Sequence, residues 1–504
     1  MNILLRCVVT LTLLALTGCA TSEGAGADVA TASGYQRTDQ FLRDRMSAAG
    51  VPGGAYAIVD REGIRHVGAF GTDGNGGPVT AQTPFLWGSV AKPVTATLVA
   101  AMVESGELRL EEPVTTYLPT FRTRDRAQSA RITVRQLLNQ TSGLPTSTRY
   151  TDRTDPERRP MDVLPELANE SLDSEPGAVH HYSSTNYLLL AAIVEAVTGE
   201  PFPEVLRERL LDPLGMRTAV TTEQQARDTV PRGHRYVFGR TVPFAAPFDP
   251  AGLGYGYLGG SIEDLAAFAR GGLGGRTDVV GDHQRESMFR GDIETSPGKS
   301  YGLGWRRWTV AGTEIPMVWH GGAAPGYSTQ VILLPDHAVV LTVNAYGTLQ
   351  EPRLLDIGFG LAATSLGVAA PATEADHTYP MILTALSALA ALLVGLAART
   401  LWLLTRPGSP SSGRVRLAAQ LAAWLLPLAL LVYLLGVAAP AHLGVELPHV
   451  VLWAPDIAGL GYAIAAAAAV LAVLRIILTL KRGIRSSGGG EGVRRPALRP
   501  GSLR

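Results

Sequence analysis

The sequence predicts an α+β soluble domain followed by three membrane-spanning helices. Three observations carry that expectation. Residues 54–60 and 64–70 are short apolar or alternating runs joined by Arg61-Glu62-Gly63, a hairpin signal. Helical runs follow, and a strand-rich stretch returns after Tyr301, with runs at 318–320, 327–334 and 338–345; Pro335-Asp336-His337 makes the last two a second hairpin. After Pro380 the composition turns to nearly pure Leu, Ala and Val. At 504 residues and 46% hydrophobic content, so unevenly spread, a soluble part and a membrane part are expected.

Residues 381–404, 417–439 and 457–480 are each long enough to cross a bilayer, which takes ~20 residues. Arginines orient them. The first connection carries Arg406, Arg414 and Arg416 and the tail at 481–504 is basic, whereas 441–456 has no Lys or Arg. Positive loops stay inside, so the tail is expected in the cytoplasm and the soluble domain outside. Residues 1–18 read as a signal peptide: one basic residue, Arg6, and then an apolar run too short to span. It ends in Leu16-Thr17-Gly18-Cys19, which resembles the lipobox of bacterial lipoproteins and implies lipidation of Cys19. Cys7 lies inside the signal, so the exported chain cannot form an internal disulfide. Residues 19–34, rich in Gly, Ala and Ser, are expected to be a flexible tether, 35–366 the folded domain and 367–380 a linker. From Met381 onward there are 12 basic and 3 acidic residues, which leaves 32 basic and 41 acidic of the 44 each for the first 380. An acidic domain without a basic, aromatic-laced patch argues against nucleic acid as a partner.

The chemistry centres on Phe85-Leu86-Trp87-Gly88-Ser89-Val90-Ala91-Lys92-Pro93. Val90, Val94, Leu98 and Met102 recur at helical spacing and Gly106 closes the run. Pro93 is tolerated only in a first turn, which pins the helix start near Ser89 and puts Ser89 and Lys92 on one face. A serine needs a base to become a nucleophile, and a desolvated amine one turn away can serve. The chain has only three lysines, Lys92, Lys299 and Lys481, among its 44 Lys and Arg. Where charge alone suffices it uses Arg, so Lys92 reads as chemically required. Ser-x-x-Lys is short enough to arise by chance, and Ser296-Pro297-Gly298-Lys299 matches it too, but Pro-Gly there makes a turn. Farther on, a short helical run at 131–140 ends in Thr141-Ser142-Gly143-Leu144-Pro145, and His181-Tyr182-Ser183-Ser184 leads into a helix with Leu189, Ile193, Ala196 and Val197 on one face and Gly199 at its end. A tyrosine before a helix is, taken alone, more often packing than chemistry.

Gly88-Ser89-Val90-Ala91-Lys92, Tyr182-Ser183-Ser184 and His320-Gly321-Gly322, in that order, resemble the motifs of the serine beta-lactamase and penicillin-binding-protein superfamily. The likeness is closest to its class C, D-aminopeptidase and esterase-like branch, and Gly259-Gly260-Ser261 and 301–305 fit that branch as well. It covers about 36–366 and implies an antiparallel sheet flanked by helices, plus a helical subdomain. It also implies roles: Ser89 the acylated nucleophile, Lys92 the amine that tunes its proton, Tyr182 the general base and acid, and His320 on an edge strand where relatives carry Lys or His. The oxyanion hole would be the N–H groups of Ser89 and Ala323, with Gly321 and Gly322 admitting substrate backbone. No cofactor is implied, and His180, His181 and His320 have no metal-ligand spacing.

Two positions depart from the superfamily pattern. Ser184 stands where an amide usually holds the substrate side chain, and Asn186 is roughly 200° around a helix from it and cannot substitute. Gly321 stands where Thr or Ser is usual. The reading is a membrane-anchored extracytoplasmic hydrolase acting through an acyl-serine on a D-amino-acid peptide, a beta-lactam or an ester of the bacterial envelope. The alternative is a module that binds or senses penicillin or peptidoglycan fragments with little turnover. Intact Ser89, Lys92 and Tyr182 favour the first, as does a tail too short to be an effector. A transporter would need polar groups within the spans, and these have almost none.

Overall fold

The computed structural model describes residues 26–275, 279–372, 376–406 and 413–487. The expected signal peptide, Cys19 and the end of the basic tail lie outside them.

Eight strands form one antiparallel sheet. Their order is Ile64–Gly71, Gly53–Val59, Ala338–Val343, Tyr327–Leu333, Pro316–Ala324, Arg306–Thr309, Lys299–Tyr301 and Ile293–Ser296. The first hairpin of the chain thus sits beside the last, with Gly54 opposite Val343. Strand periodicity splits the side chains between two cores. Tyr56, Ile58, Trp319, Ile332 and Leu341 pack under the helices Gly26–Ala49 and Glu351–Ser365. Ala55, Ala57, Val59, Val331 and Val340 face the helix Ile262–Gly272 and the helical subdomain beyond it. A strand buried on both faces reads as a continuous apolar run, which is why 53–59 does not alternate. Ser296 to Lys299 is a hairpin turn, so the second Ser-x-x-Lys is not a helix face.

Several expectations are corrected. The helix Gly26–Ala49 begins inside the 19–34 stretch expected to be a tether. The strand carrying His320 is interior to the sheet. Its pairing with Arg306–Thr309 covers only Pro316 to Trp319, however, so among the described residues the half from His320 to Ala324 is a local edge. The helix Ser184–Thr198 is buried on every side from Thr185 to Glu195 and leaves Ala196 exposed, where one apolar face was expected. It is the central post of the helical subdomain, each of its buried leucines worth about 1.5–3 kcal/mol.

Three apolar helices, Thr378–Thr405, Val415–His442 and Pro455–Arg482, are long enough to cross a membrane. They pack on one another through Leu393, Leu428, Ile464, Ala468 and Leu471.

Candidate active site

Ser89 sits on a single 3-10 turn, Gly88–Val90, immediately before the helix Ala91–Glu104. Pro93 occupies the first turn, where its missing N–H costs nothing. Gly88 has φ +55°, and a Cβ there would lie 2.4 Å from the Ala323 nitrogen. The turn therefore rests directly on the strand Pro316–Ala324, with Ser89 beside Ala323. Gly322 completes this contact: a Cβ on it would lie 1.8 Å from the Trp87 carbonyl oxygen. A Cβ on Gly321 would meet Leu355 at 2.9 Å. In the structure Gly322 makes room for the serine turn and Gly321 for a neighbouring helix. Gly322→Ala is expected to cost about 1–3 kcal/mol by overpacking, read as a lower thermal midpoint together with slower labelling of Ser89. An unchanged midpoint would show that the turn can retreat freely.

Lys92 is completely buried. Its Nζ lies 3.0 Å from Ser89 Oγ, 3.1 Å from Ser184 Oγ and 2.9 Å from the Tyr255 carbonyl oxygen. Burial lowers its pKa from the usual lysine value to about 7; the Asp152 carboxylate opposes the fall and the Arg306 guanidinium adds to it. Burial pushes the Tyr182 phenol up to about 12, against the pull of the Arg306 guanidinium and the Ser89 hydroxyl. Arg306 lies 5.3 Å from the Tyr182 ring centroid. Near neutrality the site therefore holds an amine about half in its neutral form and a protonated phenol. Of the two, the amine is the better base.

Tyr182 is positioned by the turn that precedes it in space. Gln140 takes a left-handed φ of 64°, a conformation costing about 1–3 kcal/mol. Its carbonyl accepts from the His181 N–H at 2.8 Å and its side-chain oxygen from the Ser183 N–H at 3.0 Å. Thr146 Oγ1 donates to the Tyr182 carbonyl at 2.9 Å and Ser183 Oγ to that of Pro145 at 2.8 Å. Asn186 accepts from Ser142 Oγ at 2.6 Å and donates to Gln140, so it is committed to this scaffold and does not replace the missing amide.

Ser89, Tyr182, Ser184 and Ala323 line one cavity of about 390 Å³. His320 does not line it. That imidazole is buried behind Tyr182, its Nε2 3.3 Å from the Tyr301 hydroxyl and its ring centroid 6.2 Å from that of Tyr182. Burial, with Arg306 and Lys92, keeps its pKa well below the usual range, so it is neutral. It supports Tyr182 and does not face the cavity. Among the described residues, no group of three or more His, Cys, Asp or Glu could hold a metal ion.

Arg306, Asp152, Gln140 and the Tyr255 carbonyl escaped the reading of the sequence. Arg306 directly follows the 301–305 stretch already singled out; the others have no local signal.

The beta-lactamase family profile matches residues 38–356. The chain belongs to the beta-lactamase family. This family member is 32% identical over 353 residues to penicillin-binding protein 4 of Amycolatopsis lactamdurans, covering 66% of the chain and 90% of the relative. Among solved structures, a D-stereospecific amidohydrolase from Streptomyces sp. superposes with a TM-score of 0.53 at 25% identity, over 62% of this chain and 94% of that one. A beta-lactamase/D-alanine carboxypeptidase from Pseudomonas syringae superposes with a TM-score of 0.56 at 20% identity, over 67% and 100%, a likeness of fold. The beta-lactamase match stops at residue 356, before the apolar helices.

Proposed function

We propose that this protein is a membrane-anchored serine hydrolase that works through an acyl-Ser89 intermediate. The observation that carries the reading is a fully buried lysine amine, lowered to about 7, 3.0 Å from the Ser89 hydroxyl. Neutral Lys92 takes the Ser89 proton as Oγ bonds to the substrate carbonyl carbon. The oxyanion is held by the N–H groups of Ser89 and Ala323. On collapse, the bond to the leaving group breaks and Tyr182 protonates it, the proton on Lys92 then restoring the phenol. Water enters by the reverse proton route and releases the acid. Tyr182 is thus assigned chiefly as the acid.

The substrate is a D-amino amide or an ester in preference to a penicillin. Ser184 Oγ is occupied by Lys92 and cannot replace an amide that binds an acylamino carbonyl. A lost hydrogen bond in a buried site costs about 1–3 kcal/mol, roughly one to two orders of magnitude in specificity. Parallel assays with a fluorescent penicillin and a small ester test this: ester turnover should dominate, and Ser184→Asn should shift the ratio toward the penicillin. Dominant penicillin turnover, unmoved by Ser184→Asn, would overturn the preference. A stoichiometric penicillin adduct without turnover of either substrate would favour the binding or sensing reading.

The catalytic domain is assigned to the extracytoplasmic face. Supporting this, the connection between the second and third apolar helices, which has no Lys or Arg, touches the catalytic domain: the Thr148 N–H donates to the Gly444 carbonyl at 3.3 Å. The Arg-rich helix ends then lie on the other side. A reporter fused after Arg504 should read as cytoplasmic, and an external reading would reverse the orientation.

A further inference from the structure

Residues 443–456, between the second and third apolar helices, are folded onto the catalytic domain. Gly444 has φ +66°, and a Cβ there would lie 2.4 Å from the Thr146 carbonyl oxygen, on the segment that holds Tyr182. The Glu446 N–H donates to Thr148 Oγ1 at 3.1 Å, and the Glu446 carboxylate lies 3.5 Å from Arg149. The short helix Leu447–Trp453 then places His449 and Trp453 one turn apart on one face. Trp453 Nε1 donates to Asp152 Oδ2 at 3.2 Å, His449 Nδ1 lies 2.9 Å from the same oxygen, and the Trp453 ring meets Tyr346 edge-on at 5.2 Å. Asp456 accepts from the Phe238 N–H at 2.9 Å, fixing the far end.

This segment reaches the reacting groups. Val445, His449 and Trp453 line the same cavity as Ser89, Tyr182 and Ser184. Asp152, which seats the two rings, takes a left-handed φ of 57°, and its N–H and other carboxylate oxygen are bonded to the hydroxyls of Tyr255 and Tyr257 at 2.8 Å each. The Tyr255 carbonyl in turn accepts from Lys92. The membrane module therefore supplies one wall of the pocket, in a part of the chain beyond the family match.

We propose that the connection between the second and third apolar helices determines specificity: Val445, His449 and Trp453 bind an apolar acyl group of the substrate, so the site selects amphiphilic esters or amides over small polar ones. The proposal rests on the hydrolase reading above. Lining by Val445, Trp453, Tyr346, Tyr257, Ala324 and Pro325 offers apolar contact to a chain of several carbons, and each added methylene can contribute up to about 0.8 kcal/mol.

The test uses the full chain in lipid nanodiscs and compares nitrophenyl acetate with nitrophenyl octanoate. Trp453→Ala should lower the octanoate-to-acetate ratio of kcat/KM about tenfold, chiefly through KM for octanoate. Trp453→Phe, which keeps the ring and drops the bond to Asp152, should restore most of it. Val445→Trp, which fills the cavity, should lower the ratio by a similar factor even if Trp453→Ala does not fold. A ratio unmoved in both Trp453→Ala and Val445→Trp overturns the proposal, as does an equal loss in Trp453→Phe. Wild-type protein whose Ser89 neither takes up a fluorophosphonate nor hydrolyses acetate would instead overturn the hydrolase reading itself, and the two failures are separable.

Discussion

Ser89→Ala is expected to abolish covalent labelling by a fluorophosphonate or a slow acylating inhibitor and to lower ester turnover by roughly 10⁴-fold or more. The loss should be this large because no neighbour can take over. Ser184 Oγ also lies 3.1 Å from Lys92 Nζ, yet it belongs to a different helix, whereas the Gly88–Val90 turn that carries Ser89 packs through Gly88 against Ala323, whose N–H is the second proposed oxyanion donor. Mass spectrometry of the labelled protein checks the site directly. An adduct on Ser184, or on any residue other than Ser89, would end the assignment. The substitution removes one oxygen from a half-buried position and should leave the fold intact.

Lys92→Arg should be nearly as damaging, about 10³-fold or more in kcat, while keeping the charge. A guanidinium stays protonated and cannot accept the Ser89 proton. It must also fit a space where the amine already reaches three oxygens within 3.1 Å. The same group sets the pH dependence. Because the Lys92 pKa is lowered to about 7, the neutral amine is the minor form in acid and the major form above neutrality. The rate kcat/KM should therefore rise through an apparent pKa near 7 and stay level until the phenol, pushed up to about 12, begins to ionise. Asp152 opposes the lowering, so Asp152→Asn should move the acid limb to lower pH. A limb that stays in place in Asp152→Asn would show that another group titrates there.

The amino-acid sequence by itself determined what depends on near neighbours along the chain. Ser89 and Lys92 share a helix face because Pro93 and the apolar spacing pin the first turn, and the hairpins follow from short turns between apolar runs. Apolar runs long enough to span a bilayer identified the three helices without reference to anything they touch. Tertiary structure decided what depends on residues far apart in sequence. Burial lowers the Lys92 pKa, and Tyr255, Asp152 and Arg306, which complete its surroundings, come from three other parts of the chain. His320 moved behind Tyr182, and Gly322 proved to be a seat for the Trp87 carbonyl, because the strand that carries them meets the serine turn edge-on. No periodicity in 443–456 announced that it would close a pocket whose other walls come from residues scattered between Ser89 and Glu351, for complementarity between two surfaces exists only once both have folded.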